Sequence, residues 1–160
     1  MDIGSTAGTD GGAAVNFTTK DNDPFEHDAP QQVNEELRTK AKYILQMFVE
    51  KLHDMGIKSA VIATSDGFDV AAVAMSEAEG TRLSALSSSI SAIGDMAVKE
   101  IGTGNYHQSI TIESESGYIF IMDIRNPKCP MILSVATTKD AVLGKLMYYA
   151  KQMVAKMIEV

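Results

Sequence analysis

Positive charge is what this chain has too little of. Its 160 residues hold 14 Lys and Arg against 21 Asp and Glu, a formal charge of −7 at pH 7. That deficit excludes the basic footprint needed to hold a nucleic acid backbone. Cysteine occurs once, at Cys129, which excludes an internal disulfide and a thiolate metal cluster and fits a reducing compartment. No apolar run approaches the roughly 18–20 residues that cross a bilayer. The first 30 residues lack both a basic stretch and an apolar stretch, so no secretory signal and no membrane insertion are expected. The expected location is the cytoplasm.

The charge is unevenly placed. Residues 1–36 hold eight acids and one base, Lys20, while residues 37–160 hold thirteen of each sign. Within residues 1–32 only Phe17 and Phe25 are large aromatic groups. A segment of that composition buries too little apolar area to offset the entropy of ordering it. Residues 1–32 are therefore expected to be a disordered acidic arm, and residues 33–160 a single folded domain. Phe25, inside Asp23-Pro24-Phe25-Glu26, suggests an anchor for a partner's basic groove, but the composition favours a solvated tail.

From Val33 the pattern changes. Val33, Leu37, Ala41, Ile44, Leu45, Phe48, Leu52 and Met55 recur every three or four residues, predicting a helix over about 34–55 with Asn34 as its cap. Residues 57–64 and 68–75 flank Ser65-Asp66-Gly67 and read as a hairpin. Ser76 and Glu79 fit a capping box for a helix over 77–101. Its Leu83, Leu86, Ile90, Ile93, Ala97 and Ile101 form one apolar stripe, expected to face the core. Its small residues, from Ser84 through Gly94, suggest a second packing surface. Strands follow at 106–114, 118–125 and 131–138, then a last helix opening near Thr137 or Thr138 and running to about 159. Hairpin-length links make the five-stranded sheet mostly antiparallel. The predicted fold class is an α/β three-layer sandwich, in the order helix, two strands, helix, three strands, helix.

Catalytic groups are scarce. His27, His53 and His107 have no metal-ligand spacing and read as solvated or incidental. Lys128 beside Cys129 is placed to lower the thiol pKa, but no histidine base is near in sequence, so a structural thiol is expected. Gly102-Thr103-Gly104 follows a helix and lacks a Gly-Lys-Ser/Thr ending, so it reads as a helix stop. No enzyme activity, cofactor or metal is expected.

The run 59–68, Ser-Ala-Val-Ile-Ala-Thr-Ser-Asp-Gly-Phe, resembles the opening of a roadblock / dynein light chain domain. The Ser/Ala-rich helix, Gly-x-Gly-Asn, residues 110–121 and residues 136–150 resemble its middle and end. The resemblance spans about 36–158. It implies a profilin-like sandwich without a catalytic centre that dimerises through its second helix and adjoining edge strand. By position, that self-contact would use Leu86, Ile90, Ile93, Ala97, Tyr106, Gln108, Ile110 and Ile112. It also implies a scaffold or regulator of a small Ras-like GTPase, acting as an activating partner or adaptor. A sensory or small-molecule-binding module, its ten methionines lining a cavity, and a motor-complex adaptor are the alternatives.

Overall fold

The structure, a computed structural model, describes residues 33–160. The expectations for residues 1–32, including Phe17, Phe25 and His27, lie outside the described residues.

Helix α1 (Glu35–Lys51) starts where the Asn34 side chain accepts the Leu37 N–H at 2.8 Å, with Glu35 and Glu36 in the positively polarised first turn. Strands β1 (Ile57–Thr64) and β2 (Asp69–Ala74) meet through Gly67, whose φ of +94° suits the turn. Helix α2 (Glu77–Ile101) is capped by Ser76, which accepts the Glu79 N–H at 3.2 Å. The Glu79 carboxylate accepts the Ser59 hydroxyl at 3.0 Å, which pins the first turn of α2 to β1. Gly102, at φ +78°, ends α2 in the left-handed conformation. Strands β3 (Ser109–Glu113), β4 (Gly117–Ile124) and β5 (Met131–Thr138) follow, then helix α3 (Leu143–Ile158).

The five strands form one sheet in the order β2-β1-β5-β4-β3, every neighbouring pair antiparallel. Helices α1 and α3 pack together on one face, and α2 lies on the other. The main core sits under α1 and α3. Leu45, Phe48, Phe120, Leu133, Leu146 and Met157 are its largest contributors, each burying a side chain worth roughly 1.5–3 kcal/mol. On the α2 side the sheet presents Val61, Ala63, Ile132 and Ser134, also buried but smaller. The three-layer order, strand count and antiparallel pairing match the expectation.

Three boundaries moved. Helix α1 stops at Lys51 because Leu52 takes a non-helical conformation, and Gly56 turns the chain into β1 at φ +62°. Helix α3 opens at Leu143, not near Thr137 or Thr138. Both threonines still belong to β5, and the Thr138 hydroxyl forms a tight turn with Asp140. Strand β3 starts at Ser109 because the backbone N–H of His107 donates to Asp95 at 2.9 Å.

The orientation of α2 is the larger correction. Beyond Leu83, which is buried, the expected apolar stripe turns away from the sheet: Leu86, Ile93 and Ile101 are 61%, 59% and 79% exposed. The buried residues of α2 are Gly80, Leu83, Ser84, Ser87 and Ser91. A Cβ on Gly80 would stand 3.5–3.7 Å from Ala74, Ala72 and Val61, so the small side of the helix lies close against β1 and β2. The small-residue surface thus packs on the sheet with Leu83, and Leu86, Ile93 and Ile101 point outward.

Candidate functional site

The outward residues of α2 are ordered. Leu86, Ile90, Ile93 and Ala97 are spaced four, three and four, the 3.5-residue repeat that packs one helix against another helix. Leu86, Ile93 and Ala97 are exposed and Ile90 half-buried. Met96, 57% exposed and absent from the predicted set, widens the patch.

Beside this seam lies the free edge of the sheet. Strand β3 pairs only with β4, leaving its outer ladder groups open. Ile110 and Ile112 lie opposite Ile121 and Ile119, on the sheet face that carries α2. The two halves meet at Gly94: a Cβ there would collide with Ile110 Cδ1. Leu86, Ile90, Ile93, Ala97, Ile110 and Ile112 therefore belong to one angled apolar surface. Tyr106 and Gln108 precede β3 and line a groove of about 250 Å³ with Lys151, Val154 and Ile158 of α3.

Where those two halves meet, the structure places a charged cluster. His107 is 6% exposed, not solvated as its sequence context suggested. Its ring Nδ1 lies 2.7 Å from Asp95 Oδ1, the oxygen that also accepts its backbone N–H. Its Nε2 lies 3.3 Å from Asp123 Oδ1, yet outside hydrogen-bond geometry, so that buried nitrogen has no partner. Asp123 Oδ1 accepts the Ser91 hydroxyl at 2.7 Å. Arg125 reaches Asp123 Oδ2 at 3.2 Å and Asp95 Oδ1 at 3.8 Å, and its guanidinium lies 3.6 Å from the Tyr106 ring centre. Burial pushes the Asp95 carboxyl up, but hydrogen bonds from the His107 backbone and ring, with the charges of His107 and Arg125, hold it below the ordinary aspartate range. The acids stand 12 and 16 positions from His107 in the chain, a spacing that carries no motif.

Cys129 is a buried thiol, in keeping with the structural role expected of it. It is 3% exposed, and burial, assisted by the Asp66 charge, pushes its thiol up rather than down. The exposed Lys128 does not activate it. Of the ten methionines, Met55, Met122, Met131, Met153 and Met157 fill the core under α1 and α3.

Comparison with known proteins decides the family. The Roadblock/LC7 domain profile matches residues 44–129, more than half of the chain. The chain belongs to the Roadblock/LC7 domain family. Solved structures agree on the fold. The Roadblock/LC7 domain of Streptomyces avermitilis is 19% identical, with 72% of this chain and 92% of that one aligned at a TM-score of 0.64. Myxococcus xanthus MglB is 16% identical over 79% of this chain and 90% of its own, at a TM-score of 0.68. A structure described as MglB with a tetrameric arrangement is 18% identical over the same shares, at 0.65. No curated protein matches this Roadblock/LC7 domain. The family is a regulatory fold and is in general non-enzymatic. Among the described residues, no helix is long and apolar enough to cross a membrane.

Proposed function

We propose that this Roadblock/LC7 domain is a cytoplasmic, non-enzymatic homodimeric scaffold that binds and regulates a small Ras-like GTPase. The observation that carries the reading is the outward seam of α2 with the open edge of β3, an apolar surface that one protomer leaves in water. A helix seam of this repeat is self-complementary, so a two-fold contact covers α2 with its own copy. The likeness to an MglB structure with a tetrameric arrangement supports self-association. The GTPase as partner rests on family membership. A regulator without catalytic groups can accelerate hydrolysis by ordering the partner's own switch loops. Two of the three arginines already serve the fold: Arg38 donates to the Asp69 carbonyl at 2.9 Å and Arg125 belongs to the His107 cluster.

The test is binding of purified Ras-like GTPases from the same source in their GTP-loaded and GDP-loaded states, followed by hydrolysis rates. Nucleotide-dependent binding is expected, and Arg82→Ala should leave any acceleration intact. Equal binding to both states, or binding to neither, removes the regulatory claim; loss of acceleration in the Arg82 variant restores an arginine inserted in trans.

A further inference from the structure

The two helical layers differ in charge. Helices α1 and α3 carry seven bases against three acids, and α3 alone has Lys145, Lys151 and Lys156 with no acid. Helix α2 carries two bases against four acids. Between α1 and α3 runs a groove. The helices lie antiparallel across it, for Val160 meets Asn34 and Leu37 at one end while Tyr149 meets Lys51 further along. Tyr43, Ile44, Met47 and Tyr149 give the middle of the groove an apolar floor, flanked by Lys51 and Lys156. Tyr43 is 64% exposed, and Lys51 Nζ lies 5.8 Å from the Tyr149 ring centre. Lys40 and Lys128 line the end where the chain enters α1. Lys40 is answered by Glu36 at 2.7 Å, whereas Lys51, Lys128 and Lys156 make no ion pair among the described residues.

Charge and reach single out an occupant. Residues 1–32 carry six acids and one lysine, and four of those acids, Asp21, Asp23, Glu26 and Asp28, surround Phe25. Phe25 stands nine positions before Asn34, a reach of at most about 30 Å in extended chain. Met47 stands thirteen positions after Asn34, roughly 20 Å along the helix. A segment turning back at the start of α1 can therefore lay Phe25 over the middle of the groove, its acids passing Lys40 and Lys128 on the way. The groove supplies the apolar area that the segment lacks by itself. The acidic α2 layer offers it no such match.

We propose that residues 21–28 dock in the groove between α1 and α3 of their own protomer, with Phe25 on the apolar floor at Tyr43, Met47 and Tyr149 and the acids toward the lysines of the rim. The docked segment keeps that face from other acidic, aromatic segments until one displaces it. The groove lies across the sheet from α2 and β3, so the proposal is independent of the self-contact and of the GTPase reading. A short tether favours the groove of the same protomer, since it holds the segment at an effective concentration in the millimolar range. Ordering the segment opposes docking. The balance is therefore shallow, sensitive to salt, and small beside the stability of the folded domain.

The chain has no tryptophan, so Phe25→Trp in the full chain is a single emitter. Its quenching by acrylamide is followed from about 0.05 M to about 1 M salt, where the Debye length shrinks to about 3 Å. At low salt, quenching should be about two- to threefold weaker than at high salt, and also weaker than in a low-salt chain that carries Lys51→Gln and Lys156→Gln besides, as expected of a tethered segment that is mostly docked. Dilution should leave it unchanged. In parallel, amide and tyrosine-ring NMR signals of the parent and of Phe25→Ala should differ at residues 43–51 and 149–156 and coincide in α2 and β3. Quenching equal to that of a synthetic peptide of residues 17–32 with the same tryptophan, at every salt, overturns the proposal. So does a groove variant that quenches like its parent. Signal differences confined to α2 or β3 overturn it in favour of a segment that lies on the self-contact face. Quenching that rises on dilution overturns docking within one protomer in favour of the groove of another copy. If the groove variant fails to fold, the salt series and the Phe25→Ala comparison decide.

Discussion

Ser87 and Ser134 lie between α2 and the sheet, fully enclosed, and neither hydroxyl has a hydrogen-bond partner. A buried hydroxyl without a partner costs about 1–3 kcal/mol relative to one left in water. Their neighbour Ser84 avoids the cost by donating to the Gly80 carbonyl at 3.1 Å. What Ser87 and Ser134 supply is small size, which lets α2 approach the sheet. Alanine keeps the size and removes the unpaired group. Ser134→Ala is therefore expected to raise the melting temperature by about 2–5 °C, roughly 1 kcal/mol in a domain of this length. Thermal unfolding checks it, and a clear loss of stability would mean that the hydroxyl has a partner. The His107 cluster shows the opposite economy, with most polar atoms answered. No residue of it could have been picked from sequence, because its members meet only through the crossing of α2 over the end of β4.

At the scale of elements, periodicity located almost everything and oriented all but one helix. Helices α1 and α3 show a single apolar face, and that face is buried. Helix α2 has two candidate faces, one large and apolar, one small and polar. A repeat of three and four residues reports that a helix is two-sided but not which side meets its own chain. The sheet settles it: Val61, Ala63, Ile132 and Ser134 make a shallow face that a close-packed Gly/Ser helix fits, and Leu86 and Ile93 are displaced outward. The resemblance to roadblock domains places a self-contact on those same residues, and their exposure leaves them open to one. Tyr106 and Gln108, expected within a strand, stand before it because β3 starts at Ser109. The double variant Leu86→Asn, Ile93→Asn tests the surface at this scale. Neither side chain is in the core, so the melting temperature of the protomer should hold to within a few degrees, since exposed substitutions usually stay within about 0.5 kcal/mol. Sedimentation should show monomer at concentrations where the parent is dimeric. A variant that remains dimeric moves the contact elsewhere, and a variant that unfolds places those side chains in the core after all.

At the scale of the whole molecule, most of the excess negative charge falls in residues 1–32. Removing residues 1–32 takes out six acids and one lysine, leaving fifteen acids and thirteen bases, so the formal charge falls from −7 to −2. Among the described residues Val33 and Leu37 begin the packing, and the N-cap of α1 is Asn34. A chain starting at Val33 should therefore melt within about 2 °C of the full chain. Its self-association should differ in a defined way. Two copies at −7 each repel at low ionic strength, where screening extends to about 30 Å, and hardly at all once the Debye length has shrunk to a few ångströms. The shortened chain should form the tighter dimer in dilute salt, and the two dissociation constants should converge as salt is raised. Sedimentation across a salt series measures both. A large drop in melting temperature would assign residues 1–32 to the folded domain. An affinity gap that persists in high salt would mean that those residues act on the dimer by contact rather than by charge.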